Sequence, residues 1–139
     1  MTARSRLSLL LVLFVISTLS AQPPRAAQPR DNKPVLAVVY ADWCPYCQKL
    51  KPVLVLINDK YKGKIHFLNL DVSSPEKAAA SRLEAVEFGL GAFFDKHRNE
   101  TSLILIQDAA GHEVFSAVHD YDFQHYANVL DQQLAALTK

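Results

Sequence analysis

Val35-Leu36-Ala37-Val38-Val39-Tyr40 is an unbroken apolar run between Pro34 and Asp42. The run is too short for a buried helix, and it lacks the polar alternation of a strand with one wet face. It reads as the central strand of a parallel sheet covered on both sides. Trp43-Cys44-Pro45-Tyr46-Cys47 follows at once and holds the 2 cysteines of the chain. A buried strand that opens directly onto two thiols restricts both the fold and the chemistry.

The pattern downstream of the cysteines is helical. Leu50, Val53, Leu54, Ile57 and Tyr61 recur at spacings of three and four, and Gly63 stands where a left-handed cap closes a helix. Pro45 suits the first turn, whereas Pro52 falls inside the pattern and is expected to kink it. Ile65 to Leu70 is a second buried strand, so the unit is strand, helix, strand with a right-handed parallel crossover. Ser73 and Glu76 have capping-box spacing. Leu83, Val86, Leu90, Phe93 and Phe94 then trace one helical face, weakened by Gly89 and Gly91. A helix is expected to about Gly89, with no definite element from there to Asn99. Leu103 to Gln107 and Glu113 to Val118, joined around Gly111, read as an antiparallel hairpin. Phe123, Tyr126, Leu130, Leu134 and Leu137 mark a closing amphipathic helix. The expected α/β order is β-α-β-α-β-β-α.

Three segments are expected in the 139 residues. Arg4 and Arg6 precede an apolar stretch from Leu7 to Leu19, and small side chains follow to Ala21, which reads residues 1–21 as a secretory signal peptide. The alternative is an uncleaved N-terminal membrane anchor, although the stretch falls short of the roughly 20 residues that span a bilayer. Residues 22–33, rich in Pro, Gln, Arg and Ala, read as a flexible leader, and residues 34–139 as the folded domain. With 15 basic and 14 acidic residues spread along the chain, the composition gives no footprint for nucleic acid or for an anionic membrane surface.

A structural staple explains the cysteines poorly, because a bridge across two intervening residues removes little unfolded-state entropy. Cys44, at the start of a helix, faces free N–H groups and the positive end of the helix dipole, which lower a thiol pKa. It is expected to be the attacking thiolate. Cys47, one turn further in and facing the core, is expected to resolve a mixed disulfide. Trp43 and Tyr46 offer an apolar docking surface beside the sulfur, and the Pro45-Tyr46 dipeptide sets how many N–H groups face it. The five histidines, His66, His97, His112, His119 and His125, lack ligand spacing, so no zinc site is expected.

With these motifs in place, the chain resembles the thioredoxin superfamily. Tyr40-Ala41-Asp42-Trp43-Cys44 is similar to the thioredoxin strand exit, and Pro52 stands 5 residues after Cys47, where that family carries a helix-kinking proline. Tyr61-Lys62-Gly63-Lys64-Ile65, Leu68-Asn69-Leu70-Asp71 and Gly111-His112-Glu113-Val114 continue the likeness. The resemblance implies a thioredoxin-like fold trimmed to its minimal core, with an insertion before the third core strand. It also implies a thiol-disulfide oxidoreductase that exchanges disulfides with protein substrates, which the N-terminal export segment would place in a periplasm or lumen. Such a protein needs no dissociable cofactor, but it does need a redox partner, which the sequence does not name.

Several departures from the family bear on mechanism. Val38 stands 6 residues before Cys44, where thioredoxins bury a proton-carrying carboxylate. Thr101, or Ser102 in a shifted register, occupies the place of the family's cis-proline beside the sulfurs. A cis bond before a non-proline residue costs about 2.5–4 kcal/mol, so a trans or rebuilt loop is expected there. Thr101 is expected to contribute to substrate binding. The insertion holds Phe88, Leu90, Phe93 and Phe94, followed by Asp95 to Arg98; it either packs on the core or overhangs Cys44 and helps choose the substrate. Pro-Tyr is the glutaredoxin dipeptide, yet no glutaredoxin-type glutathione loop is evident. A potential above roughly −270 mV is expected. Two other readings use the same thiols: a non-enzymatic module binding copper or an iron-sulfur cluster, and an interaction domain with a static disulfide.

Overall fold

The computed structural model describes residues 30–138. The expected signal segment and most of the expected leader lie outside the described residues. A short 3-10 turn at Arg30–Asn32 leads into β1 (Val35–Tyr40), α1 (Pro45–Tyr61), β2 (His66–Asp71), α2 (Pro75–Glu87), α3 (Gly91–His97), β3 (Leu103–Gln107), β4 (Glu113–Val118) and α4 (Phe123–Ala136). The sheet order is β2-β1-β3-β4. β1 pairs parallel with β2 and antiparallel with β3, and β3 pairs antiparallel with β4.

Alternation along β1 divides the core into two layers. Leu36 and Val38 join Leu50, Val53, Ile57, Tyr126 and Leu130 beneath α1 and α4. Val35 and Ala37 face the other way, with Leu68, Leu70, Ala85, Leu90 and Phe94 beneath α2 and α3. The run therefore reads as apolar throughout because it is buried twice over. Tyr61 ties α1 to α4 by donating to the Ala127 carbonyl at 3.1 Å and to the Asp131 carboxylate at 2.8 Å. Helix α1 continues through Pro52, and Gly63 follows it at φ +74°, the left-handed position the sequence assigns to it.

The second half of the chain departs from expectation in three respects. The N-cap of α2 is Ser74 rather than Ser73: its hydroxyl accepts the Lys77 N–H at 3.3 Å, and Pro75 takes the first helical position. Leu83 and Val86 are exposed, because α2 turns the smaller stripe of Ala78, Ser81 and Ala85 inward. Small side chains bring the helix close enough for the Ser81 hydroxyl to donate to the Asp71 carbonyl at 3.0 Å. Finally, the stretch after Gly89 is ordered as α3. Gly89, at φ +74°, ends α2, and Gly91 lets α3 fold back, since a Cβ there would stand 2.8 Å from Val86 Cγ2. Helix α3 seats Phe94 in the core and leaves Phe93 half-buried. The aromatics of the insertion thus pack onto the fold.

Candidate functional site

Cys44 and Cys47 lie where β1 ends and α1 begins, and both are free thiols. The connecting loop is braced from several directions. The Cys44 N–H reaches the Ala41 carbonyl at 3.2 Å, and the Asp42 N–H reaches the Ser73 hydroxyl at 2.9 Å. Gln48 Nε2 donates to the Asp42 carbonyl at 2.8 Å and to the Tyr40 hydroxyl at 3.2 Å. Ser73 in turn donates to the Asp71 carboxylate, which also holds Lys77 Nζ at 3.0 Å. Ser73, expected as a helix cap, instead supports the loop that carries the cysteines.

Cys44 is itself the N-cap of α1, and its Sγ accepts the Cys47 N–H at 3.3 Å. The Thr101 hydroxyl points at the same sulfur from the loop before β3, at 3.1 Å. Burial works against the Cys44 anion, but the Thr101 hydroxyl, the Cys47 N–H and thiol, and the Tyr46 N–H outweigh it, so the pKa falls below the ordinary thiol value. Cys47 behaves oppositely. Burial, reinforced by the neighbouring Cys44 sulfur, pushes its thiol up to about 11. Its Sγ sits 4.0 Å from the Val39 carbonyl, and Val38 is fully buried where the family's carboxylate would stand. The pair therefore separates into one readily ionised sulfur and one that stays protonated.

The remaining expected residues surround this pair. Trp43 is 64% exposed and Tyr46 46% exposed, whereas Cys44 is only 2% exposed. Pro45 takes the first position of α1 and is exposed. Among the described residues no peptide bond is cis, so the loop at Thr101 is trans. It is also rebuilt: Ser102 is held at φ +70°, with its N–H on the Val39 carbonyl at 2.7 Å and its buried hydroxyl without a partner. Sequence reasoning missed His119, which stands at φ +58° after β4 and stacks on the Tyr46 ring with centroids 3.9 Å apart. It also missed Tyr121, whose hydroxyl is held above its ordinary pKa by burial, with Tyr46 and both cysteines adding to the effect. No local pattern marks either residue, because both reach the site only through the turn after the hairpin.

A four-stranded mixed sheet between two helical layers, with a Cys-x-x-Cys dithiol at a helix N-terminus, defines a thioredoxin-like protein. The chain is similar to the thioredoxin superfamily. The thioredoxin family model matches residues 25–87. The chain is 35% identical over 88 residues to the thioredoxin-like protein HCF164, chloroplastic, of Arabidopsis thaliana, an alignment covering 60% of this chain and 32% of that one. It is 39% identical over 61 residues to a thiol:disulfide interchange protein TxlA homolog of Synechocystis, covering 41% of this chain and 34% of that one. The chain thus spans about a third of the length of these curated relatives. Among solved structures, thioredoxin O2 of Arabidopsis thaliana in its oxidized state superposes with a TM-score of 0.51 at 18% identity, covering 77% of this chain and 81% of that one. A thioredoxin-like protein from Edwardsiella tarda gives 0.51 at 20% identity, over 75% and 86% of the two chains. These superpositions speak for the fold.

Proposed function

We propose that the chain is an exported thiol-disulfide oxidoreductase that exchanges disulfides with protein substrates through Cys44 and Cys47. The observation that carries this reading is the split between the two thiols at one helix terminus, Cys44 lowered and Cys47 raised to about 11. In the reducing direction, the Cys44 thiolate attacks a client disulfide, forming a Cys44–client bond and releasing one client thiolate, which takes up a proton. Cys47 then gives up its proton and attacks Cys44 Sγ. The Cys44–Cys47 disulfide forms, the second client thiolate leaves, and two electrons have passed to the client. Oxidation of a client runs the same steps backwards, and a redox partner resets the pair. Trp43, Pro45 and Tyr46 supply the surface against which the client lies.

Export is supported by Arg4 and Arg6 ahead of the Leu7 to Leu19 stretch, and by the printed name of one relative as chloroplastic. Residues 1–21 act as the export segment or anchor, residues 22–33 as a leader, and the domain works in a periplasm or lumen. Among the described residues no helix is long and apolar enough to cross a membrane. The test is a trapping experiment. Cys47→Ser should accumulate a mixed disulfide between Cys44 and a disulfide-containing client, and Cys44→Ser should lose all exchange. Retained turnover in Cys44→Ser would refute the assignment.

A further inference from the structure

The insertion brings Arg98 to a groove that Trp43 also lines, and Arg98 makes no hydrogen bond there among the described residues. A cavity of about 490 Å³ lies beside the cysteine-bearing loop, its lining including Trp43, Val72, Pro75, Ala78, Arg98 and Asn99. Trp43 immediately precedes the nucleophile, and Val72 also packs against the cluster of Ala41, Cys44 and Cys47. A polypeptide lying in this groove therefore runs alongside the reactive pair.

Most of the charged side chains around the groove already have partners. Asp71 and Asp42 lie 3.0 and 3.7 Å from Lys77 Nζ. Asp95 is held by Arg82 through two hydrogen bonds of 2.7 and 2.8 Å, and Glu100 lies 3.2 Å from His97 Nδ1. Glu76 turns back on the Ser74 cap. The Arg98 guanidinium makes no hydrogen bond and no ion pair within 4 Å among the described residues, although it adds to the pull of Arg82 on the Asp95 carboxylate, and it carries the sole formal charge in the lining. Its backbone is fixed, because Arg98 caps α3, its N–H bonds the Phe94 carbonyl at 2.8 Å, and Phe94 is buried in the core.

Resting on the reading of Cys44 as nucleophile, we propose that Arg98 is a specificity-determining residue. It favours protein clients whose reacting cysteine has an acidic side chain nearby, with an apolar neighbour seated against Trp43 and Val72. A guanidinium at a largely apolar groove can pair with a carboxylate in a forked geometry and repels a basic client.

The test uses the reduced protein and two synthetic disulfide-linked peptides that differ only in Glu or Lys beside the cysteine. Single-turnover rates should favour the Glu peptide about fivefold at low salt, the size expected of a solvent-exposed ion pair. That preference should shrink toward unity at high salt. In Arg98→Glu it should invert, and in Arg98→Gln it should vanish. Because each preference is a ratio within one variant, a general loss of reactivity cancels. An unchanged Glu-to-Lys ratio in Arg98→Glu would overturn the proposal. Reaction of the wild-type protein with uncharged 2-hydroxyethyl disulfide checks the underlying chemistry; failure there would overturn the exchange reading, and the selectivity with it.

Discussion

Replacing Thr101 with Val removes one hydroxyl and keeps the side-chain shape, which isolates the 3.1 Å hydrogen bond to Cys44 Sγ. A hydrogen bond to a charged group is worth about 1.5–3 kcal/mol, and one pKa unit corresponds to about 1.4 kcal/mol. The Cys44 pKa should therefore rise by about 1–2 units in Thr101→Val, since burial then opposes the thiolate with one fewer donor against it. The same loss destabilises the dithiol form relative to the disulfide. At a conversion of about 30 mV per 1.4 kcal/mol, the potential should fall by up to about 60 mV, becoming more reducing. Thr101→Ser keeps a donor and should stay near the wild-type values. The assay is the ultraviolet absorbance of the Cys44 thiolate as a function of pH in a Cys47→Ser background, with potentials measured on the intact pair. A Cys44 pKa in Thr101→Val within about 0.3 units of wild type would refute the argument, because it would mean the hydroxyl contributes under about 0.4 kcal/mol.

Two further expectations concern pH and backbone. Alkylation of the reduced protein should rise with pH in two stages, Cys44 titrating below the ordinary thiol value and Cys47 near 11, so that only Cys44 reacts around neutrality. The linkage follows: a lowered folded-state pKa stabilises the reduced protein above the ordinary thiol pKa, and that contribution is lost as pH falls through the Cys44 pKa. Reduced-protein stability measured by denaturant titration across that window checks the sign. Ser102→Gly should raise stability by about 1 kcal/mol, because it relieves a left-handed backbone at a non-glycine residue and removes a buried hydroxyl with no partner. Thermal unfolding should show a Tm higher by about 4 °C; a lower Tm would mean that the side chain packs usefully.

The first half of the fold was legible because its signals were unambiguous. The Val35 to Tyr40 run is apolar on both faces, and α1 has only one apolar stripe. The α2 region carries two competing stripes, Leu83 with Val86 and Ala78 with Ser81 and Ala85. Hydropathy favours the first, whereas close approach to the sheet selects the second. Pro75 was the available signal for the true cap at Ser74, since proline belongs at the first helical position. Gly89 and Gly91, which looked like weaknesses in one helix, are the joint between two.

At the site, chain order gave Cys44 and Cys47 directly, because the helix N-terminus and its thiols are local in sequence. Thr101 was reached only through its place in the family pattern. The direction of its hydroxyl, onto Cys44 Sγ, depends on a loop 57 residues away in the chain. The stack of His119 on Tyr46 arises in the same way, from a left-handed residue at the end of β4 that turns an imidazole over the active-site helix. Contacts assembled from distant loops leave no periodic trace.

If the donors around Cys44 tune the Cys44–Cys47 pair toward the dithiol, the pair is a reversible redox couple with a raised potential. An equilibrium titration of the described domain in defined thiol buffers, followed by Trp43 fluorescence, tests it most directly. A single two-electron transition with a midpoint above about −270 mV is the predicted result. A midpoint below that value, or a pair that shows no reversible transition, would mean that Cys44 and Cys47 are not such a couple.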